Sequence, residues 1–290
     1  NKKYLKKYLN RSTMNPFTLI QNLIPQQALS EFAGNLAASQ NPYVKKSLIH
    51  SFAKAYHINL DEYARSQFSD YSSFNDFFTR ELKSDARPID ETPNQLICPA
   101  DGTISQIGDI KQGMILQAKG RTYEIGQLLA DYDDGQYFMN GSFATIYLAP
   151  SNYHRVHMPF DGQLTATRYV PGTLFSVNHT TAKHVPDLFA RNERLICLFD
   201  TNFGRAAVVM VGAMIVAGIE SVATGKINRT PHIQYRTHEL TLSKGDELGR
   251  FYLGSTAIII LPKSAHNDWL AHITHGKKVM MGQAIGNMPV

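Results

Sequence analysis

Three short segments of the sequence place reactive side chains beside glycine or proline residues. The first contains Asp101, the second contains His154 and His157, and the third contains Ser255 directly after Gly254. A carboxylate, an imidazole and a hydroxyl are the groups of a charge relay, in which the imidazole removes the hydroxyl proton and the carboxylate orients the imidazole. Order along the chain does not establish that these groups meet in space. A relay of Asp101, His157 and Ser255 is therefore a hypothesis for the structure to address.

Ser255 can also act on its own backbone, because its hydroxyl is able to attack the carbonyl carbon of the preceding peptide bond. Glycine at position 254 lacks a Cβ and tolerates the strained backbone that this attack requires. With His157 as general base and Asp101 as its partner, the attack converts the amide to an ester, and elimination then releases Gly254 as a carboxylate. The pattern predicts self-cleavage between Gly254 and Ser255.

Three other interpretations explain part of the same pattern. Asp101, His154 and His157 could bind zinc in a metal-dependent hydrolase, although their spacing differs from the helical HExxH arrangement and no third ligand motif accompanies it. Ser255 could be the intact nucleophile of a serine hydrolase, although the G-x-S-x-G elbow is missing around it. A non-catalytic membrane-binding β domain would explain the N-terminal region but not the reactive residues. An intact chain without a carbonyl cofactor would favour the last two.

The elements that must position these residues fall into two regions, and the first, residues 1–95, is predicted to be helical. Residues 29–36 and 44–56 repeat apolar side chains at the i, i+3, i+4 and i+7 spacing of a helix face. In the second segment lysines lie opposite the apolar face, which is typical of a helix at a lipid interface; the alternative, which a single helix taken alone favours slightly, is packing on the protein's own core. Ser73 and Asp76 resemble a capping box that begins a third helix, predicted to end near Leu82.

Positive charge is concentrated in the same region. Residues 1–60 carry eight lysine or arginine side chains against one acid, Glu31, whereas the whole chain carries a net charge of +5. A basic leader before a nearly neutral body favours an anionic membrane surface over a nucleic-acid partner. No run of about 18 uninterrupted apolar residues is present, so the sequence predicts a peripheral contact and no transmembrane helix.

The second region, residues 96–290, is predicted to be a β-rich catalytic core. Five short apolar runs separated by glycine, aspartate and asparagine turns indicate strands, at 103–107, 143–148, 195–199, 206–219 and 257–261. Only residues 124–130 suggest a helical turn. The sequence therefore predicts an α+β fold, with N-terminal membrane-associating helices followed by a mainly antiparallel β sandwich or barrel-like core. Cys98 and Cys197 lie within apolar runs, which predicts buried, reduced thiols.

Taken together, the motifs resemble those of bacterial phosphatidylserine decarboxylases. The run Leu253–Thr256, with the sequence LGST, is similar to the self-cleavage site of that family. Four further segments resemble its other signatures: 99–102, 153–159, 175–179 and 188–194. The resemblance extends from about Met14 to the C-terminus and includes every motif position.

The resemblance implies a proenzyme that cleaves itself into residues 1–254 and 255–290, which remain together as a heterodimer; further association of two heterodimers is left open. Asp101, His157 and Ser255 would carry out the cleavage, and Ser255 would become a covalent pyruvoyl group. That group would form a Schiff base with phosphatidylserine and allow CO2 to leave, giving phosphatidylethanolamine. His154 would serve in the decarboxylation step. No metal is implied.

The resemblance also implies a peripheral position on the cytoplasmic side of the bacterial inner membrane. His179 and Phe175 are candidates for the substrate pocket, although a loop histidine making ordinary hydrogen bonds explains His179 equally well. Arg191 and Arg194 could contact the lipid phosphate or form ion pairs with Glu193 or Asp187.

Overall fold

The computed structural model describes residues 21, 26–118, 120–214, 218–252, 254–265 and 267–288. Residues 1–13, the first part of the basic leader, and Leu253 of the cleavage motif lie outside the described residues.

The described helices are short except for the first two. Their bounds are α1 Gln26–Ala38, α2 Pro42–Tyr56, α3 Phe74–Phe78, α4 Ile125–Leu129, α5 Tyr132–Tyr137, α6 His179–His184 and α7 Leu188–Arg191. Asn41 begins α2 by accepting hydrogen bonds from the backbone N–H groups of Tyr43 and Val44, with Pro42 at the first helical position. The helical turn predicted at 124–130 is confirmed as α4.

Strands make up most of the chain after residue 95. Their bounds are β1 Gln95–Ile97, β2 Gly102–Asp109, β3 Met114–Ala118, β4 Arg121–Glu124, β5 Ser142–Leu148, β6 Arg155–His157, β7 Gly162–Val170, β8 Arg194–Thr201, β9 Gly204–Gly212, β10 Ile219–Ser221, β11 Gly225–Lys226, β12 Gln234–Leu242, β13 Glu247–Phe251, β14 Ser255–Leu261, β15 Asp268–Trp269, β16 Lys278–Val279 and β17 Ala284–Asn287. All five predicted strands are present, but the run predicted at 206–219 ends as β9 at Gly212, and β10 begins at Ile219.

The core is built on one eight-stranded antiparallel sheet with the order β12-β7-β8-β9-β14-β5-β2-β16. Smaller sheets, β11-β10-β13-β6 and β1-β17-β15, cover one face, where Val156, Leu248 and Ile285 are part of a shared apolar cluster. The hairpin β3-β4 and helices α4 to α7 cover the other face, where Tyr123 and Leu188 belong to a second cluster. We call these the sheet-covered face and the helix-covered face.

Strand β14 lies in the middle of this large sheet, paired with β9 on one side and β5 on the other. Because side chains alternate along a strand, Ala257, Ile259 and Leu261 enter the cluster on the sheet-covered face, while Ile258 and Ile260 enter the other. Both faces are buried, which explains why this strand is an unbroken apolar run rather than an alternating one.

The N-terminal helices form a third apolar cluster with a residue from the β region. Ile49 and Ala53 of α2 are buried against Phe77 and Phe78, and the cluster also contains Tyr153. The apolar face of α2 therefore packs on the protein itself. Lys45 is also withdrawn from the basic face, because its ammonium donates to the carbonyl oxygens of residues 69 and 71.

The third helix is shorter than the sequence indicates. The Ser73 hydroxyl accepts a hydrogen bond from the backbone N–H of Asp76, which is the first of the two hydrogen bonds of the predicted capping box. The carboxylate of Asp76 binds the guanidinium of Arg65 instead of returning to Ser73. The helix ends at Phe78, not near Leu82, and Leu82 forms a β-bridge with Tyr63.

The structure confirms the α+β class, with N-terminal helices before a mainly antiparallel core. The sheets stack in layers, and within the described ranges they do not close into a barrel. A boundary at residue 95 stays a prediction, since Tyr153 joins the cluster of the helical region. Both cysteines are free and buried, as predicted. No helix in the described part of the chain is long and apolar enough to cross a bilayer.

Candidate active site

Ser255 is the first residue of β14 and is fully buried, opposite Leu148 on β5 and Gly212 on β9. Its position is thus fixed by two neighbouring strands at one end of the large sheet. Gly254 precedes it outside the strand. Apart from its chain neighbours, no described residue has a heavy atom within 4 Å of where a Cβ on Gly254 would be, and the φ angle of Gly254 is not in the left-handed region. The resting backbone therefore does not itself require glycine at this position.

His154 is the imidazole closest to the Ser255 hydroxyl. Its Nδ1 lies 3.5 Å from Ser255 Oγ, and its Nε2 lies 3.0 Å from the carbonyl oxygen of Ala149. A carbonyl oxygen only accepts, so Nε2 carries the proton and the Nδ1 lone pair faces Ser255. The ring is fully buried and stacks on Phe78 at 4.1 Å between centroids.

The environment of His154 keeps the ring uncharged. Burial, followed by the positive charge of Arg80, lowers the pKa of His154 to about 3. Arg80 is itself fully buried and has no carboxylate partner among the described residues; it donates to Tyr63 Oη and to the Ser151 carbonyl, and its Nε is unpaired. Near neutral pH, His154 is therefore a neutral hydrogen-bond acceptor toward Ser255.

His157 is directed away from Ser255. Its Nδ1 lies 2.8 Å from the carbonyl oxygen of Gly245, and its Nε2 lies 2.9 Å from the hydroxyl of Tyr153. Nδ1 must donate to the carbonyl, so Nε2 accepts from Tyr153. Burial lowers the pKa of His157, so the ring is neutral and its basic nitrogen is occupied by the tyrosine.

Asp101 is buried and bound mainly to Arg87. The guanidinium of Arg87 contacts both carboxylate oxygens, with Nη2 2.7 Å from Oδ2, and the backbone N–H of Met281 donates to Oδ1 at 2.9 Å. Arg87 also pairs with Glu62 at 3.0 Å. The charge of Asp101 acts electrostatically on His157.

The structure thus brings Ser255 together with His154, whereas the predicted relay of Asp101, His157 and Ser255 is not formed. Among the described residues, no hydrogen bond joins Asp101 to His157 or His157 to Ser255. The three groups of the zinc hypothesis bind separate partners, and no three His, Cys, Asp or Glu side chains form a metal site within the described ranges.

Sequence reasoning missed three residues of this site: Arg80, Arg87 and Tyr153. Arg80 stands between Thr79 and Glu81, and nothing in this sequence indicates that its charge is buried. Tyr153 lies in the histidine motif itself, but its contact with His157 depends on the turn before β6. Nothing in the sequence around Arg87 identifies Asp101 as its partner.

The other candidate residues lie near α6 and α7. Phe175 is buried and its ring faces the guanidinium of Arg191 at 5.1 Å. His179 begins α6, with its ring centroid 5.5 Å from that of His275. Arg194 is buried and donates to the backbone carbonyls of residues 127, 128 and 192. It therefore fits neither a contact with the lipid phosphate nor an ion pair with Glu193 or Asp187. Glu193 pairs with Arg229 instead.

Acid should destabilise the chain through His154. Its pKa is about 3 when folded and near 6.5 when unfolded, so between these values only the unfolded chain binds the proton. The stabilisation is complete above about pH 6.5 and falls as the pH drops toward 3, by about 2 kcal/mol at pH 5. In a Ser255→Ala background, urea unfolding at pH 7 and pH 5 should show a smaller loss for His154→Gln than for its parent. His232→Gln, at an exposed position, is the control; equal losses in all three chains would contradict the assignment.

Comparison with known proteins places the same segments in one family of sequences. The family model described as phosphatidylserine decarboxylase matches residues 74–287, and a second, described as PSD, matches residues 16–57. The first match includes Asp101, His154, His157 and Ser255.

Curated relatives are similar over nearly the whole chain. A phosphatidylserine decarboxylase proenzyme of Psychrobacter cryohalolentis is 66% identical over 274 residues, covering 94% of this chain and 99% of the relative. The proenzyme of the same description from Acinetobacter baumannii strain AYE is 52% identical over 280 residues, covering 97% and 99%. That from Acinetobacter baylyi is 48% identical, covering 96% and 98%.

Proposed function

The chain belongs to the phosphatidylserine decarboxylase family, and from this premise we propose that it makes a pyruvoyl group from Ser255 by cleaving its own backbone after Gly254. The chain is a phosphatidylserine decarboxylase proenzyme, a carboxy-lyase precursor. One observation carries the proposal: the Ser255 hydroxyl is fully buried at the end of a core strand, 3.5 Å from a neutral imidazole nitrogen. A buried serine hydroxyl held by a hydrogen-bond acceptor next to the Gly254–Ser255 peptide bond is positioned for attack.

For the cleavage step we assign Ser255 as nucleophile, His157 as general base and Asp101 as the group that orients His157. The charge of Asp101 already acts on His157, and the depressed pKa of His157 keeps this ring in its basic form. Reaching Ser255 requires His157 to leave the Tyr153 hydroxyl and Asp101 to turn from Arg87. Catalytic hydrogen bonds are often formed only in the reacting complex, so the open arrangement is compatible with these roles.

For decarboxylation we assign His154, which lies beside the position where the pyruvoyl group would form. The residues present fit that group, because Ser255, Thr256 and His154 are all fully buried and keep water away from the end of β14. The pyruvoyl group would supply the carbonyl that accepts electrons as CO2 leaves phosphatidylserine. His154, whose Nδ1 faces the position of Ser255, would transfer the proton that replaces the carboxylate on the substrate carbon. Phe175 and His179 are proposed to line the substrate pocket.

The two fragments are proposed to remain a heterodimer. Residues 255–290 supply β14 in the middle of the large sheet, β16 at its edge and β17, which pairs with β1. Strand β14 alone is buried at every position, so its departure would open both apolar clusters to water. Cleavage is therefore expected to leave the fold intact.

A decarboxylation assay tests the function. The purified protein should convert phosphatidylserine in detergent micelles to equal amounts of CO2 and phosphatidylethanolamine. Prior treatment with borohydride should abolish conversion, because it reduces the carbonyl on which the reaction depends. Full activity after reduction, or no conversion by a fully cleaved enzyme, would contradict the proposal.

An anionic membrane surface on the cytoplasmic side of the inner membrane is the proposed partner of the region 1–95, with residues 96–290 as catalytic core. Tyr43, Lys46, His50 and Lys54 recur at helical spacing along α2, and all four are exposed. On α1, Phe32 is 68% exposed. Exposed aromatic and basic side chains together are typical of peripheral membrane contacts.

Charge reversal on α2 should weaken this contact. Each basic side chain near an anionic leaflet contributes about 1 kcal/mol, so Lys46→Glu with Lys54→Glu should lower partitioning onto phosphatidylserine-containing vesicles by roughly 30-fold or more. Vesicle flotation measures the effect, and Lys111→Glu with Lys263→Glu is a matched control at exposed positions outside α1 and α2. Unchanged flotation of the α2 variant would exclude this surface.

A further inference from the structure

A cavity of about 220 Å³ opens at the same end of the large sheet as Ser255. Its lining includes Thr103, Tyr147, Val177, His179 and His275. None of the described residues that line it is acidic. We call it the imidazole cavity, after its two histidines.

The strand register connects the imidazole cavity to the cleavage site. Thr256, which follows Ser255, lies opposite Tyr147 on β5, and Tyr147 lies opposite Thr103 on β2. Directly opposite residues of antiparallel strands point to the same face, and neighbouring strands are about 4.8 Å apart. The cavity walls formed by Tyr147 and Thr103 therefore lie roughly 5 to 10 Å from β14. Thr256 Oγ1 is fully buried and without a hydrogen-bond partner among the described residues.

The row of opposite residues Thr256, Tyr147 and Thr103 continues on the next strand with a lysine. Lys278 on the edge strand β16 lies opposite Thr103, whereas its neighbour Val279 is buried in the cluster of the sheet-covered face. Alternation along the strand thus directs the exposed Lys278 toward the helix-covered face, the face of Thr103 and Tyr147. The surroundings of the cavity combine this ammonium group with two imidazoles and the three hydroxyls of Thr103, Ser105 and Tyr147.

One ring of the cavity has a defined orientation. His275 Nδ1 lies 2.5 Å from the carbonyl oxygen of Ser105, so Nδ1 carries a proton and donates there. In a protonated ring the remaining nitrogen, Nε2, would donate a hydrogen bond to an anion. The cavity is therefore suited to an anion with several oxygen acceptors.

We propose that the imidazole cavity binds the phosphodiester of the phosphatidylserine headgroup, with His275 and His179 as the contacting residues. This rests on the proposed function, because the substrate amine must reach the position of Ser255. In serine phosphodiesters four covalent bonds separate the amine nitrogen from phosphorus, about 5 Å when extended. That span is about the spacing between β14 and Tyr147 on the neighbouring strand. The Ser255 side chain itself faces the sheet-covered side, like Ala257, so the headgroup would reach the cavity around the end of β14. Val177 supplies an apolar wall on the same side.

The site would be shared by both cleavage fragments. His179 belongs to residues 1–254, whereas His275 and Lys278 belong to residues 255–290. Substrate recognition would thus require the heterodimer, independently of the chemistry at Ser255.

Steady-state kinetics of His275→Ala and His179→Ala in phosphatidylserine micelles test the assignment. A hydrogen bond to a charged group contributes about 1.5 to 3 kcal/mol, so each change should raise KM by about 10-fold or more. Self-cleavage should stay complete and kcat should stay within about twofold, because neither ring contacts Ser255. Glycerophosphoserine should inhibit the wild type competitively and the His275→Ala enzyme correspondingly less; inorganic phosphate, tested separately, reports whether the phosphate group alone suffices. His275→Lys should recover part of the lost affinity.

His272→Ala is the matched control, since this exposed histidine lines a different cavity. An unchanged KM in cleaved, active His275→Ala and His179→Ala enzymes, with equal inhibition by glycerophosphoserine, would overturn the headgroup assignment and leave the proposed function standing. Absence of cleavage or turnover in the wild type would instead count against the proposed function. If a variant fails to fold, the glycerophosphoserine competition in His275→Lys decides the question: inhibition as weak as with a non-phosphorylated serine ester would overturn the assignment.

Discussion

Replacing Ser255 with alanine is expected to leave the protein as one 290-residue chain and to abolish decarboxylation. The substitution removes the only atom proposed to attack the Gly254 carbonyl, and alanine cannot give rise to a pyruvoyl group. Loss of a nucleophile lowers rates by more than about 10⁴-fold in enzymes that depend on one. Because Ser255 is fully buried in β14 and alanine is smaller, the fold should survive the change. Denaturing gel electrophoresis and intact mass measure the cleavage.

Ser264→Ala is the matched control for this experiment. Ser264 lies in the same fragment, is exposed, and donates its hydroxyl proton to the carbonyl of Phe203. This variant should cleave and turn over like the wild type. Cleavage of the Ser255→Ala chain after residue 254, or conversion of phosphatidylserine by an uncleaved Ser255→Ala chain, would contradict the account.

The two histidines of the 153–159 motif are expected to separate cleavage from turnover. His157→Ala should remain largely uncleaved, with a rate lowered by about 10² to 10⁴, the usual contribution of a general base. His154→Ala should cleave but lose turnover by a similar factor, because its ring is proposed to act on the substrate. A time course of fragment appearance measures the first effect, and CO2 release per cleaved molecule measures the second.

The resting geometry makes this a stringent test, since His154 and not His157 lies 3.5 Å from the Ser255 hydroxyl. If His154→Ala fails to cleave while His157→Ala cleaves normally, His154 is the base and the division of roles is wrong. His232→Ala, at an exposed position, should change neither rate.

The sequence anticipated elements more readily than side-chain partners. Strand β14 was predictable because an unbroken run such as 257–261 can be buried on both faces of a sheet. The end of α3 was not, because the chain leaves the helix where Arg80 enters the core, and that depends on Tyr63 and the carbonyl of Ser151. Local capping signals cannot report such long-range contacts.

In the candidate site, too, the residue types were predictable from the sequence and their hydrogen-bond partners were not. The chemical types of Asp101, His157 and Ser255 were evident from their motifs, yet the structure pairs Asp101 with Arg87 and His157 with Tyr153. Sequence pattern carries no information on which partner a buried group selects. The roles of Asp101, His154, His157, His179 and Phe175 stay predictions for the variants above.

The most direct test of self-processing is the intact mass of freshly purified wild-type protein. The account predicts two species, residues 1–254 and a 36-residue fragment of residues 255–290, the second carrying a pyruvoyl group that borohydride reduces by the addition of two hydrogens. A single 290-residue mass that persists for hours, with Ser255 unmodified, would contradict it.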